Sequence, residues 1–226
     1  MPNVPNASML SKKGELHASA HISLKGNVSL NTAYAVNNHL GIMLNGSTIS
    51  QQKKSKDFRQ NLLELGAGYF TTFGTDNSRI LEIFAGIGNG STERNFRDIK
   101  DDILISTDNQ NFNFNKTFLQ VNYTSKKQKG LKVFGKNYPL NYGTVLRISY
   151  ITMEKFSRNG IFQPKEDNIF LEPVFFTRLK LNKTFQLQYT SGSNFGLHSR
   201  KFLTAGSSVF TIGLAINVGD FNINGL

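Results

Sequence analysis

Apolar and polar residues trade places with a period of two along most of the chain, and the spacing of an amphipathic helix is nearly absent. Ten segments follow this rule: Leu16–Leu24, Val28–Val36, Leu40–Ile49, Asn61–Phe73, Ile80–Gly88, Phe112–Thr124, Gly143–Ile151, Asn168–Leu179, Thr184–Thr190 and Ser208–Val218. Most reach the roughly 9–11 residues that a tilted strand needs to cross a bilayer. The fourth segment puts Leu63, Leu65, Ala67, Tyr69 and Phe73 on one face, and Glu64, Gly66 and Gly68 on the other. The fifth opposes Leu81, Ile83, Ala85 and Ile87 to Glu82, Gly86 and Gly88; the tenth opposes Phe210, Ile212, Leu214, Ile216 and Val218 to Thr211, Gly213, Ala215 and Asn217.

Two opposite solutions satisfy such alternation. A soluble lipid-carrying barrel turns its apolar face inward, whereas a membrane barrel turns it toward lipid and keeps a polar lumen. The polar face here carries Gly, Ser, Asn and Gln with a few charges of both signs, among them Arg147, Glu172 and Arg178, while the lysines concentrate in the connections. Small residues and pairable charges suit a crowded lumen, where a buried charge must find a partner. The expectation is therefore one closed antiparallel transmembrane β-barrel of about ten strands, with eight as the alternative, over residues 15–219. Leu63, Leu65, Tyr69, Leu81, Ile83, Phe210, Ile212, Leu214 and Ile216 are its lipid-facing side chains. Closure is obligatory, because hydrocarbon offers an open sheet edge no hydrogen-bond partner. Residues 1–14 form a Pro- and Asn-rich extension and residues 220–226 a tail.

The connections alternate in length. Asn37–His39, Gly74–Ser78 and Lys180–Lys183 are short; Ser50–Gln60, Asn89–Asn111, Thr152–Asp167 and Gly192–Gly206 are long. This is the pattern of short periplasmic turns and long extracellular loops, with both termini in the periplasm. Ser125–Tyr142 breaks it, being long where a short turn belongs. Tyr34, Tyr69, Tyr123, Tyr150 and Tyr189 stand near strand ends on the apolar face, as an interfacial belt requires. Pro173 removes a ladder donor inside a strand and calls for a bulge or kink.

Buried charges imply pairs. A symmetric hairpin register sets Arg147 opposite Glu172 or Pro173, and predicts an Arg147–Glu172 pair across the lumen wall, with Arg178 and Glu82 as a second pair. Glu64 faces Gly88–Asn89 and is left without a partner.

The 226 residues contain no Cys and no Trp, 19 Phe, and a net charge of +11. Without cysteine there is no disulfide, thiolate metal site or thiol nucleophile. The excess charge lies at Lys53, Lys54 and Lys56 and between Lys126 and Lys136, and no nucleic-acid motif accompanies it. No run approaches the ~20 apolar residues of a membrane helix, and no charged-then-apolar leader opens the chain. His17 and His21 share a face as polar filler; the spacing and the lack of a third ligand argue against metal. No metalloprotease, phosphate-loop or nucleophile-elbow motif is present. Gly86–Gly90 ends a strand with no helix after it. Asp101, Asp102 and His198 are rim residues that nothing brings together. The reading is non-enzymatic, with no catalytic residue, metal or cofactor, and about ten strands enclose mostly side chains and not a wide pore.

The opening MPNVPNASMLSKKGEL, the hairpin NTAYAVNNHLGIMLNGS and the closing strand SSVFTIGLAINVGDF together resemble the small outer-membrane β-barrel proteins of Bacteroidetes-type bacteria. The opening is similar to the segment that follows the lipid-bearing cysteine of envelope lipoproteins in that group, although the cysteine itself is not in this sequence. The chain departs from many such barrels by closing on FNINGL, which hands any insertion signal to Phe221. The resemblance implies a structural or accessory barrel in a Gram-negative outer membrane, serving as a subunit of a larger envelope complex. Its partners are then outer-membrane lipid, lipopolysaccharide and other envelope proteins met through the long loops.

Overall fold

The computed structural model describes residues 4–101, 103–133, 135–182, 184–206 and 208–219, with backbone alone at 127–129 and 133. The strands are β1 (Leu16–Ser23), β2 (Asn27–Ala35), β3 (Leu40–Lys53), β4 (Lys56–Phe73), β5 (Arg79–Lys100), β6 (Ile103–Val133), β7 (Lys136–Arg158), β8 (Ile161–Phe162), β9 (Asp167–Lys180), β10 (Phe185–Gly192), β11 (Phe195–Gly196) and β12 (Val209–Val218). Ten of them close a ring, in which every pairing is antiparallel: β1 pairs with β2 on one side and β12 on the other, and β7 pairs directly with β9. The two-residue strands β8 and β11 extend the rim beside β7 and β9.

The period-two alternation dictates which face each residue takes. Leu44, Leu65 and Ile87 stand side by side across β3, β4 and β5, and Leu119, Ile148 and Leu171 do so across β6, β7 and β9. Leu63, Leu65, Tyr69, Ile83, Phe210, Ile212 and Leu214 are exposed on the outer wall, and Leu81 and Ile216 are half-buried on it. At the end that holds the termini, Tyr69, Phe73, Tyr123 and Tyr142 are exposed on the outside. There Tyr69 stacks on His39 with ring centroids 5.4 Å apart.

Three of the expected loops are strand. β3 and β4 keep pairing to Lys53↔Lys56, β5 and β6 to Lys100↔Ile103, and β6 and β7 to Val133↔Lys136. Continuing the ladder gives the facing backbone N–H and C=O groups partners that an irregular loop of that length must find elsewhere. Ser125–Tyr142, irregular as a turn, is thus a hairpin that projects from the termini end, with a register shift between Ser125 and Lys129. At the opposite end β4 starts opposite Phe96 and β7 stops opposite Gln110, so residues 97–101 and 103–109 rise beyond both neighbours as a two-stranded ribbon.

Pro173 needs no bulge. The β7–β9 register runs unbroken from Leu140↔Leu179 to Thr152↔Asp167. The Pro173 carbonyl points to the β10 side, where it accepts from the Ser193 N–H just after the β9–β10 ladder ends at Val174. The missing donor falls where pairing has run out. Phe221 and the tail from residue 220 onward lie outside the described residues.

Candidate functional site: a filled lumen

The lumen is packed in three tiers. The middle tier is ionic and fully buried. Glu64 on β4 accepts from Arg147 on β7 (Nη1 at 3.1 and 3.0 Å) and from Lys116 on β6 (Nζ at 2.9 Å). Lys116 also reaches Glu172 on β9 at 3.2 Å, and Glu172 accepts the Ser149 hydroxyl at 2.6 Å. Two cations thus face two carboxylates, with no net charge left over. The Arg147 guanidinium is completed by Gln120, whose Oε1 takes Nε at 2.8 Å and Nη2 at 2.5 Å, and by the Phe118 ring, whose centroid is 4.5 Å from Cζ. Gly88 makes the meeting possible. It stands opposite both Glu64 and Lys116, and a Cβ there would come within 3.0 Å of the Glu64 Cγ.

The expected Arg147–Glu172 pair does not form. Arg147 does lie opposite Glu172 in the ladder. Its long side chain nevertheless leaves the wall and crosses the lumen to Glu64, while Lys116 takes Glu172. Glu64, left without a partner by the sequence, has two cations and the Asn45 amide. Lys116 was missed there, although period-two counting back from Phe118, Gln120 and Asn122 places it inside.

The lower tier is built around the chain's own N-terminal segment. Residues 4–10 are buried inside the ring. Glu82 on β5 accepts the Ser8 hydroxyl (2.6 Å), the backbone N–H groups of Met9 (3.2 Å) and Leu10 (3.0 Å), and the Asn122 amide (2.8 Å). Arg178 on β9 donates to the Ala7 carbonyl and, at 2.6 Å, to Gln188, with His17 Nε2 at 3.4 Å. The expected Arg178–Glu82 pair is therefore replaced by a bridge. The carboxylate holds the amides of the segment and the guanidinium holds one of its carbonyls. Gln120 and Asn122 both donate to the Asn6 carbonyl, which ties this tier to the middle one. His17 is buried against Asn217 (2.7 Å) and His21 against Ser19 (3.0 Å).

Toward the long-hairpin end the lumen turns apolar. Leu62, Phe112, Phe114, Ile151, Met153, Phe156 and Phe170 form one cluster with Leu203, which comes from the β11–β12 connection folded over the mouth. Glu166 clamps that connection by accepting the N–H groups of Lys201, Phe202 and Leu203 at 3.1, 2.9 and 2.7 Å. Asn168 donates to the Leu203 and His198 carbonyls. Of the rim residues, Asp101 is at the tip of the β5–β6 hairpin beside Lys54, Ser55 and Arg97, His198 is fastened to Asn168, and Asp102 lies outside the described residues. Among the described residues, no three His, Asp or Glu side chains stand close enough to hold a metal ion.

The chain matches no family model and no curated protein. Its architecture is similar to the translocator domain of the autotransporter NalP from Neisseria meningitidis, with 12% identity over 90% of this chain and 85% of that one, and a TM-score of 0.55. The N-terminal β-barrel domain of Pseudomonas aeruginosa OprF aligns with 91% of this chain and 98% of its own length at 11% identity, with a TM-score of 0.34. The likeness to the translocator domain is one of fold, a closed antiparallel barrel, which in this chain has ten strands.

Proposed function

We propose that this chain is a non-enzymatic barrel of a Gram-negative outer membrane, closed to solutes, with the termini and the β6–β7 hairpin in the periplasm and the hairpins of the opposite end outside. Its role is structural, or that of a docking platform for other envelope proteins. The observation that carries this reading is the lumen, filled by an ionic quartet and a buried N-terminal segment and capped by an apolar cluster. An apolar outer wall around a polar interior suits lipid outside, and it speaks against a soluble lipid carrier, whose apolar face must point inward. The projecting hairpins offer the surface for partners and for lipopolysaccharide. The kinship with Bacteroidetes-type barrels and lipoproteins belongs to this proposal and is tested by mass spectrometry of the native protein's N-terminus.

Conductance in a planar bilayer tests the closure. The purified protein inserts, shifts on a gel with heating, and gives no stable conductance steps. Open-channel steps from the intact chain overturn the reading, as does a protein soluble without detergent.

A further inference from the structure

A cleft of about 480 Å³ opens at the long-hairpin rim, directly above the apolar cap. Small-molecule sites span roughly 300–1,000 Å³. Its walls come from β3 to β7 and the β11–β12 connection, include the Asp108–Arg158 pair, and combine two chemistries. Phe58, Phe96 and Phe202 supply aromatic surface, and Lys56, Arg94 and Lys201 supply positive charge. The rings hold the cations in place: Lys56 Nζ is 4.9 Å from the Phe96 centroid, Arg94 Cζ 5.7 Å from that of Phe58, and Lys201 Nζ 5.3 Å from that of Phe202.

The rings do not neutralise them. Among the described residues, none of the three cations forms an ion pair. Two carboxylates act on them from beyond contact distance, Glu166 on Arg94 and Asp108 on Lys201, and each has closer hydrogen-bond partners. Asp108 is paired with Arg158 at 2.7 Å, and Glu166 is occupied by three backbone N–H groups. Burial, then the nearby Arg94 charge, pulls the Lys56 ammonium below its ordinary pKa, as expected of a cation crowded by another. Arg94 is half-buried and donates one Nη to the Phe202 carbonyl at 2.8 Å. The floor adds a third feature. Gln60 is 3% exposed, and its side-chain oxygen has no donor among the described residues.

We infer that this cleft binds a phosphorylated sugar. Three cations without a contact ion pair, outnumbering the two carboxylates that act on them from farther away, fit a multiply charged phosphate, the phenylalanine faces fit the apolar C–H face of a pyranose, and the buried Gln60 oxygen fits a sugar hydroxyl. The same chemistry is presented by the phosphorylated headgroup of lipopolysaccharide and by a free sugar phosphate. The inference goes beyond the closed-barrel reading and stands on the rim geometry alone.

Calorimetry on the full chain in detergent micelles tests it, with glucose 1-phosphate as probe and glucose and inorganic phosphate as comparisons. Glucose 1-phosphate binds saturably and more tightly than either comparison. Lys56→Met and Lys201→Ser each weaken it about tenfold, the loss of one charge-assisted hydrogen bond. Lys201 is exposed in a connection, so its replacement leaves the barrel folded. Lipopolysaccharide that displaces the sugar phosphate identifies the membrane headgroup as the source; binding that lipopolysaccharide leaves untouched identifies a soluble one. The inference is overturned if glucose 1-phosphate does not saturate, if inorganic phosphate binds as tightly, or if both variants bind like the parent.

Discussion

The middle and lower tiers of the lumen contain the same kinds of charge and settle them in different ways. In the middle tier, Arg147, Lys116, Glu64 and Glu172 come from four strands and satisfy one another across the ring. In the lower tier, Glu82 and Arg178 do not touch. Each hydrogen-bonds to residues 7–10, which belong to no strand, and also to the wall, through Asn122 for Glu82 and Gln188 for Arg178. Both solutions obey the rule that a buried charge needs partners. The first makes the wall self-sufficient. The second makes the wall depend on a segment that is joined to it only through β1.

The largest expected effect separates the two. Arg147→Met leaves Glu64 buried with Lys116 alone and an uncompensated negative charge in the quartet, at a cost of about 3–5 kcal/mol. Unfolding in detergent measures it. Adding Glu64→Gln restores neutrality and recovers most of the loss; a double variant as unstable as the single one breaks the claim that the quartet is one electrostatic unit.

Next in size is Glu82→Ala. It strands the Ser8 hydroxyl and the Met9, Leu10 and Asn122 N–H groups, and because water can enter in place of the carboxylate the loss is limited to about 2 kcal/mol. The diagnostic change is local. Limited proteolysis cuts the N-terminal segment of this variant while the barrel stays folded, whereas Arg147→Met leaves the segment protected until the barrel itself unfolds. Equal protection in both variants would sink the distinction between the tiers.

The smallest effect sharpens the comparison by leaving the lumen altogether. At the rim, Asp108 is held below the usual carboxylate range, first by its hydrogen bond from Arg158. A carboxylate with a lowered folded-state pKa contributes stability above its unfolded value, near 3.9, and loses that contribution as pH falls through the folded value. The side chains of this pair are 27% and 40% exposed, so solvent screens it. Asp108→Asn is expected to change stability only slightly at neutral pH and to flatten the loss on acidification. A change as large as that of Arg147→Met would erase the contrast between rim and lumen.

The periodicity made the wall legible. Period two assigns Leu63 and Leu65 outward and Glu64 inward, and a symmetric hairpin puts Arg147 opposite Glu172, where it lies. Choosing Arg147's partner was beyond that reasoning. Ladder neighbours are known from register, but a guanidinium on a long stem can cross a narrow lumen, and what it meets depends on curvature and on a gap such as Gly88. The segment Val4–Leu10 has no period to read. Its one sign is the absence of charge from Val4 to Leu10, with the first cation only at Lys12. The loops were underestimated because Asn, Lys and Asp are poor strand formers on average, yet an antiparallel ladder can continue through them wherever both edges of a hairpin remain in register.

The position of the buried segment sets an order of assembly. The ring is sealed by β1 against β12, where His17 meets Asn217 across 200 positions of sequence. Pairing such distant residues costs the most loop-closure entropy of any seam in the ring, which favours its closing late. The stretch just ahead of β1 therefore stands at the final seam while the sheet is still an open trough. It can be laid against Glu82 and Arg178 before the seam shuts, serving as a mandrel around which the sheet curls. Inserting it afterwards would mean drawing Ser8–Leu10 through a finished ring past side chains that are already hydrogen-bonded.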